Sequence, residues 1–376
     1  MKKLRVALVI PTHFNIHSSL NNLLKVYKYL IKTKNVEVTI FTDKKNDVSY
    51  KGFKVVKINW IDYKNVLSKI LFVLGAPRFY YTDLVGKLDG YDVIESSNPE
   101  FYGFAYQSYL AAKKYNAKLI YRTSQTVEGF LLFKLTKYLI IPIMKNAYDY
   151  ASAFLFTNPG AEERCVRLGL IEKNSKKSFI VGHPTDITTF KPSKLKKTKN
   201  NTIILSVGGL YKIKGHHLII KALKKVIEMG HDAELWIVGE GYYKKNLVKL
   251  AKELGISDKV KLFGSKSHKE LAKIYNSSDI FVLANYQEIT PAVNEALACR
   301  IPVVVMECGG RQFVIPDESY GLVAKKFDVK DMADKIIRLI EDKILSSKIA
   351  EKGRRNIITN FSVKSVAEKV YRAVVK

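Results

Sequence analysis

The stretch from Ser278 to Gly310 constrains the fold of this chain more than any other segment. It begins with a short apolar run, Ile280 to Ala284, which has the length and β-branched content of a buried strand. Thr290 and Pro291 then predict a helix that starts at Pro291, because Thr is a good N-cap and Pro is favoured at the first helical position. A second apolar run, Ile301 to Met306, predicts another buried strand. The segment therefore indicates a strand–turn–helix–strand unit.

Two acidic residues flank the start of this helix. Glu288 precedes it, and Glu295 lies in its second turn. Open N–H groups and the positive end of the helix dipole make a helix N-terminus a phosphate site, and a carboxylate nearby can accept hydrogen bonds from sugar hydroxyls. The alternative is an ordinary buried strand–helix–strand unit with a capped helix and no ligand.

The helix and the strand after it carry a recognisable order of residues: Glu295, Ala296, Ala298, Pro302 and Val303. This order resembles the nucleotide-sugar site of the retaining family 4 glycosyltransferases of the GT-B fold. The family pattern is a Glu, seven intervening residues, and a second Glu followed by Ala-x-Ala-x-x-x-Pro-Val. The first half departs from it, since Gln287 stands at the family spacing and Glu288 is one residue too close. We favour Glu288 in the family role; the alternative is that the first acid has become an amide.

The size and composition of the chain fit a folded two-domain protein. Its 376 residues are too many for one ordinary domain, and 47% of them are hydrophobic. Its three cysteines have no metal-ligand spacing and provide no disulfide framework, which indicates a reducing compartment. We find no signal peptide and no apolar stretch of about 18–20 residues. We therefore expect a cytoplasmic protein, soluble or peripheral on the inner face of the plasma membrane.

The charge balance is strongly basic. The chain has 63 Lys and Arg against 35 Asp and Glu, a net charge of +28. Such a balance favours polyanionic partners, namely anionic lipid headgroups, nucleic acid or phosphorylated substrates; the alternative is a lysine-rich surface that is merely well solvated. Tyr63 to Tyr81 and Phe130 to Ile143 each combine apolar residues with cations. Each could contact a bilayer as a basic amphipathic helix or pack in a core.

The first half of the chain begins as a parallel strand–helix–strand unit. Leu4 to Ile10 and Val36 to Thr42 predict strands on either side of a helical pattern. Ligands bind at the carboxyl ends of such strands, so His13 is a candidate for an acceptor-binding cleft. Gln125 follows a later strand, where relatives in the resembled family often carry a His close to the reacting sugar. It is the second acceptor-site candidate.

The domain boundary is predicted from a second resemblance. Asp186, Phe190 and Pro192 are similar to the family signature that precedes its interdomain linker. The segment from Lys191 to Asn201 has five lysines and no acid, a solvated composition that suits a hinge. We predict an N-terminal Rossmann-like domain over 1–192, a basic linker over 193–201 and a C-terminal Rossmann-like domain over 202–360. A helix over 361–376 would return to the first domain.

Glycine and lysine residues of the second half extend the resemblance. Relatives have Val-Gly-Arg and then Lys-Gly a few residues later, and these Arg and Lys side chains bind the donor diphosphate. Lys214 matches the lysine, whereas Gly209 stands where the family has Arg. Electrostatic stabilisation of this kind is often the largest catalytic contribution, so the missing charge is a serious departure. Lys212 and Arg311 are the cations that could replace it.

The resemblance implies an α/β chain of GT-B architecture, with two Rossmann-like domains facing across a cleft and the C-terminal helix packing back on the first. It implies a retaining glycosyltransferase of the hexosyltransferase type that uses a UDP- or GDP-type nucleotide sugar and a glycan or lipid-linked acceptor. Glu288 would contact the donor sugar, Lys214 the departing diphosphate and Glu295 the ribose hydroxyls. The other donor-binding candidates are Gly208, Gly209, Thr290, Ala292, Val293, Gly239 and Gly264. The sequence predicts no metal site and no cofactor beyond the nucleotide sugar.

Two other functions remain open at this point. The first is a nucleotide-sugar epimerase on the same fold, which would need acid–base groups in the cleft. The second is a catalytically degenerate basic scaffold that binds a membrane or nucleic acid, which the net charge and Gly209 motivate. We favour the transferase, with peripheral contact to an anionic membrane and without a nucleic-acid partner.

Overall fold

The computed structural model describes residues 3–10, 17–44, 50–62, 79–97, 103–124, 142, 144–193 and 201–375. The chain divides into two compact units, of which the first comprises Met1–His183 with Val363–Lys376 and the second Pro184–Ser362. Within the described ranges, no helix is both long and apolar enough to cross a membrane.

The first unit is built on a parallel sheet. Its described strands are β1 (Leu4–Val9), β2 (Val36–Asp43), β3 (Lys54–Ile58), β6 (Val93–Ser97), β7 (Lys118–Thr123), β8 (Ala153–Phe156) and β9 (Ser178–Ile180). They lie in the order β3-β2-β1-β6-β7-β8-β9, and every neighbouring pair is parallel. The predicted parallel strand–helix–strand start is confirmed.

A small antiparallel pair corrects one prediction. β4 (Trp60–Asp62) pairs with β5 (Phe79–Tyr81). The amphipathic helix predicted over 63–81 lies outside the described residues except for its last three, which form β5. Three consecutive aromatic residues favour a strand there. The apolar segment predicted over 130–143 also lies outside the described residues, apart from residue 142.

Helices cover the first sheet. They include α1 (His17–Thr33), α2 (Leu84–Lys87), α3 (Gly103–Tyr115) and α4 (Pro159–Arg167), together with the last helix, α12 (Val363–Val375). Residues 144–150 are also helical. Val366, Val370 and Val374 recur every fourth residue of α12 and are buried in one core with Tyr27 of α1. The last helix therefore belongs to the first unit, as predicted.

The second unit is also a parallel sheet. Its strands are β10 (Thr202–Val207), β11 (Ala233–Val238), β12 (Val260–Leu262), β13 (Ile280–Leu283), β14 (Val303–Met306) and β15 (Leu322–Ala324). Their order is β12-β11-β10-β13-β14-β15. Counted within this unit, that is the 3-2-1-4-5-6 order of dinucleotide-binding folds, whose ligands bind where the order reverses. Here the reversal lies between β10 and β13.

Helices alternate with the strands of the second unit. They are α5 (His216–Glu228), α6 (Lys244–Glu253), α7 (His268–Asn276), α8 (Pro291–Ala298), α9 (Arg311–Val314), α10 (Val329–Glu341) and α11 (Lys343–Asn356), with a π turn over Ile357–Phe361. A capping box starts α7: the Glu270 N–H lies 3.4 Å from the Ser267 Oγ, and the Ser267 N–H donates to the Glu270 carboxylate at 2.9 Å.

The boundary between the units differs from the one predicted at 193–201. Residues 184–192 belong to the second unit. The reason is packing: Phe190 is fully buried with its ring 5.8 Å from that of Tyr275. The Thr185 N–H also donates to the Phe361 carbonyl at 2.7 Å, which fixes the start of this unit to its end. The signature residue Asp186 folds the segment by accepting four hydrogen bonds from the two threonines that follow it.

Candidate functional site

Three of the predicted donor-site glycines form a continuous backbone surface at the carboxyl ends of β10, β11 and β12. A Cβ atom on Gly239 would lie 1.9 Å from the Gly208 carbonyl oxygen, and Gly239 has a φ of +149°. The Gly239 N–H donates to the carbonyl of Gly264 at 3.0 Å. Only glycine allows the first two loops to approach this closely. The resulting surface has no side chain at these positions, which suits a ligand that binds backbone groups.

The loops that follow β10 and β13 are fixed to each other at the point where the strand order reverses. A Cβ atom on Gly215, whose φ is +70°, would lie 2.0 Å from the Ala284 carbonyl oxygen. The Tyr286 N–H donates to the Ile213 carbonyl at 3.0 Å, and the Tyr286 hydroxyl lies 2.8 Å from the Nε2 of His217. These contacts hold the short 3₁₀ helix Lys212–Lys214 against the Glu288 loop.

Lys214 and Glu288, the two predicted catalytic residues, interact electrostatically. Burial lowers the pKa of the Lys214 ammonium, and the Glu288 carboxylate opposes that shift. The Glu288 loop is held in place because the Ile289 N–H donates to the Gly309 carbonyl at 3.0 Å. The Asn285 side chain also donates to the Glu288 carbonyl at 2.7 Å. The site thus has a half-buried cation opposite a carboxylate.

The two alternatives for the first acidic position are placed differently. Gln287 is exposed, and its carbonyl accepts the Gly309 N–H at 2.8 Å. Glu288 is half-buried and acts on the charge of Lys214. The Glu288 charge therefore acts on the lysine, and the assignment of Glu288 rather than Gln287 to the first acidic position stays a prediction.

The helix α8 begins at Pro291 as predicted, but Thr290 does not cap it with its side chain. Instead the Thr290 carbonyl accepts the Val293 N–H at 3.1 Å, and the Thr290 Oγ1 is buried without a hydrogen-bond partner among the described residues. Because Pro291 has no N–H, the first turn is closed by a later donor, the Val293 N–H, which bonds to a carbonyl three residues earlier. Ala292 and Val293 are both buried at this terminus.

Glu295 is buried on α8 and has a partner within the protein. The Tyr275 hydroxyl lies 3.1 Å from its Oε2 and 3.0 Å from the Ala292 carbonyl oxygen. Burial, and then the Glu295 charge, raise the pKa of Tyr275 well above its usual value. The tyrosine stays protonated and can donate to the carboxylate.

The structure assigns Arg311 a different role from the one considered for it. Its Nε and Nη2 lie 3.0 and 2.9 Å from the Glu307 Oε2, and its Nη1 donates to the Ile315 carbonyl at 3.1 Å. Its charge is therefore neutralised by Glu307. Lys212 is exposed. The pKa of His217 is lowered mainly by burial, then by the Lys221 charge and then by the Lys212 charge. The three atoms nearest to a Cβ on Gly209 belong to Tyr211 and not to either of these cations.

Tyr211 occupies the space beside Gly209, and the sequence analysis missed it. A Cβ atom on Gly209 would lie 2.6 Å from the Tyr211 Cε2 and 2.9 Å from its Cδ2. The signal in the sequence was a glycine at 209, which has no side chain, followed two positions later by an aromatic residue.

The remaining predictions lie outside the described residues or concern metals. His13 and Gln125, the acceptor-site candidates, are not among the described residues, and their roles stay predictions. Over the described ranges, no group of three or more His, Cys, Asp or Glu could hold a metal ion. The three cysteines are buried, and none of them forms a disulfide.

A buried histidine also adjoins the site, although the sequence analysis gave it no role. His216 is 2% exposed at the start of α5, and its Nδ1 lies 3.2 Å from the Ser206 Oγ. Burial lowers its pKa to about 4, and the Lys214 and His217 charges act in the same direction. Hydrogen bonds with the backbone of Gly208 and Gly209 raise the pKa and oppose this shift. The imidazole is neutral at pH 7.

This histidine predicts an acid-sensitive fold. The unfolded chain binds a proton at His216 below about pH 6.5, whereas the folded chain does not until about pH 4, so stability falls as the pH drops through that window. Between pH 7 and pH 5 the loss from this residue should be about 2 kcal/mol. Urea unfolding at both pH values should show a smaller loss in His216→Asn. An equal loss in the variant and the wild type would contradict the assignment.

Comparison with solved structures defines the fold. The chain is similar to a glycosyltransferase from Rickettsia africae, with a TM-score of 0.79, 19% identity and full coverage of both chains. It is also similar to Anabaena HepE, solved in complex with UDP and glucose, with a TM-score of 0.78, 16% identity and coverage of 99% of this chain and 100% of that one. The two parallel-sheet units thus have the GT-B fold of glycosyltransferases, as predicted.

Sequence comparison relates the second unit to a known family. Residues 187–356 match the family described as glycosyl transferases group 1, and that range is almost the whole second unit. The second unit is therefore similar to this family along most of its length. The chain is 24% identical to the lipopolysaccharide core biosynthesis glycosyltransferase LpsE of Rhizobium meliloti, over 63% of this chain and 68% of that protein. It is 27% identical to the α-D-kanosaminyltransferase of Streptomyces kanamyceticus, over 46% of each. The alignment with several curated relatives spans about half of their length.

Proposed function

We propose that this protein is a retaining glycosyltransferase that moves a hexosyl group from a nucleotide diphosphate sugar to a glycan or lipid-linked acceptor. The observation that carries the proposal is that Lys214 and Glu288, whose charges act on each other, lie on two hydrogen-bonded loops at the reversal of strand order. A half-buried cation there suits a diphosphate, and the glycine backbone surface beside it suits a close approach of phosphate oxygens.

Each residue of the site has a separate task in this proposal. The acceptor hydroxyl oxygen bonds to the anomeric carbon as the bond from that carbon to the β-phosphate oxygen breaks, and the hydroxyl proton passes to an oxygen of the leaving diphosphate. The electron pair of the broken bond stays with the diphosphate, where the Lys214 ammonium and the start of α8 stabilise it. Glu288 contacts the donor sugar, and Glu295 accepts hydrogen bonds from the ribose hydroxyls. Retention of configuration rests on the family resemblance.

The base and the acceptor are proposed from relatives. HepE was solved with UDP and with UDP-glucose, which favours a UDP sugar, whereas a mannosyltransferase of Corynebacterium glutamicum is named as dependent on GDP-mannose. That enzyme acts on a phosphatidylinositol mannoside, and LpsE is named for lipopolysaccharide core synthesis. A lipid-linked or surface-glycan acceptor, bound by the first unit at an anionic membrane surface, accords with the net charge of +28.

Calorimetric titration with UDP, GDP and ADP tests the donor site. One diphosphate should bind the wild type at micromolar concentration. Glu295→Gln keeps the shape of the side chain but removes its charge, so it should bind that diphosphate about tenfold more weakly. Glu253→Gln, on the exposed face of α6, is the matched control and should bind like the wild type.

If the wild type and both variants bound the diphosphate equally, Glu295 would not be a donor-binding residue. If none of the diphosphates bound the wild type, the donor site itself would be excluded. Binding of oligonucleotides or anionic vesicles that weakens steeply with salt would then favour the degenerate basic scaffold. Interconversion of a nucleotide sugar without acceptor would instead favour the epimerase.

A further inference from the structure

Two exposed tyrosines lie beside the glycine surface of the candidate site. The Tyr211 and Tyr242 rings, which we call the tyrosine platform, have centroids 5.4 Å apart and are tilted by 40°. Tyr211 is 44% exposed and Tyr242 is 74% exposed, whereas Tyr275 in the same unit is fully buried. The platform therefore offers aromatic surface to solvent next to a proposed ligand site.

The platform is held in place by backbone contacts between the loops that follow β10 and β11. The Leu210 N–H donates to the Glu240 carbonyl at 2.9 Å, and the Tyr243 N–H donates to the Leu210 carbonyl at 2.9 Å. A Cβ atom on Gly241 would lie 2.4 Å from the Leu210 carbonyl oxygen, so the loops touch directly. The two tyrosines are thus carried on loops that cannot separate without losing these contacts.

Ring packing also supports the platform from both sides. The Tyr211 ring lies against the Gly209 backbone, where a Cβ atom would be 2.6 Å away. The Tyr242 ring contacts that of Tyr243, with centroids 6.3 Å apart, and Tyr243 in turn packs on His217 at 5.7 Å. Stacking of a ligand would therefore cost the two tyrosines little side-chain conformational entropy, since their rings are already supported.

We propose that the tyrosine platform binds a sugar ring. A pyranose has one face of C–H groups with hydroxyls around its rim, and a tyrosine combines an apolar face with a polar tip. The platform shares its loops with Gly209 and with the 3₁₀ helix of Lys214, so a sugar joined to a bound diphosphate could reach it, as could a sugar of the acceptor. This inference rests on the proposed function for its ligand class and adds a subsite to it.

Saturation-transfer NMR tests the platform with three probes: UDP, UDP-glucose and maltotriose. Irradiating the protein aromatic protons should transfer saturation to the ring protons of a stacked sugar. Tyr242→Ala should abolish this transfer and weaken binding of that ligand about three- to tenfold, whereas Tyr242→Phe should retain both. Met229→Ala, which removes a 68% exposed apolar side chain elsewhere in the same unit, should leave both unchanged.

The outcomes separate the source of the sugar from the proposed function itself. Loss of transfer to the glucose protons of UDP-glucose, with UDP binding unchanged, would assign the platform to the donor sugar. Loss confined to maltotriose would assign it to an acceptor sugar, even if UDP did not bind and the donor-site proposal failed. Transfer to uracil protons alone, or sugar signals that persist in Tyr242→Ala, would overturn the inference while leaving UDP binding, and the proposed function, intact.

Discussion

Lys214→Ala is expected to lower the rate of sugar transfer about 100- to 1000-fold, with a smaller effect on donor binding. The ammonium is half-buried, and burial lowers its pKa against the Glu288 charge. Charge on the diphosphate grows as the glycosidic bond breaks, so the cation stabilises the transition state more than the bound donor. The measurement is kcat and KM with a nucleotide sugar that carries the base identified by calorimetry.

Lys212→Ala is the matched control for this prediction. Lys212 belongs to the same 3₁₀ helix, but its side chain is exposed. Its removal should change kcat by less than about threefold, since an exposed charge is screened by solvent. Equal losses in the two variants would show that the positive charge of the segment matters and that the position of Lys214 does not.

Glu95→Ala is expected to destabilise the first unit by about 3–5 kcal/mol, because it leaves a buried arginine without its counter-ion. The Glu95 carboxylate is fully buried on β6, and its Oε1 lies 2.7 Å from the Arg122 Nε. The Tyr27 hydroxyl donates to the other carboxylate oxygen. Urea unfolding can be followed in a Trp236→Phe background, in which Trp60 of the first unit is the remaining tryptophan.

A double variant controls for the loss of packing around this ion pair. Glu95→Leu combined with Arg122→Met replaces both charges with apolar groups of similar volume, and such exchanges are often neutral. It should recover most of the stability lost in Glu95→Ala. If the double variant were as unstable as the single one, the pair would contribute by more than charge balance.

The sequence predicted the second unit better than the first, for physical reasons. Its strands β13 and β14 are continuous apolar runs, and Gly239 and Gly264 mark the carboxyl ends of β11 and β12, where loops approach closely. The first unit contains β3, a short strand interrupted by two lysines, and the sequence analysis did not identify it. Local pattern is informative where burial is complete and weak where a strand is half-exposed.

Site residues were predicted from the order of motifs, whereas their environment depends on long-range contacts. The resemblance proposed Lys214, but only the fold shows that the Tyr286 loop, more than seventy residues away, fixes its position. Likewise, Arg311 was a free cation in the sequence and is paired with Glu307 in the structure. Pairing partners and aromatic neighbours such as Tyr211 are set by tertiary packing, which one-dimensional spacing does not contain.

The first unit is built from two separate segments of the chain, which affects the order of folding during synthesis. This unit consists of residues up to His183 and the helix from Val363, so its core needs both ends of the chain. The second unit, Pro184–Ser362, is continuous in sequence. During synthesis, the later-translated unit can therefore finish folding first, while the earlier one waits with the α12-binding face of its core uncovered. This order reverses the usual succession of domains on the ribosome and leaves the first unit dependent on protection until α12 has been translated.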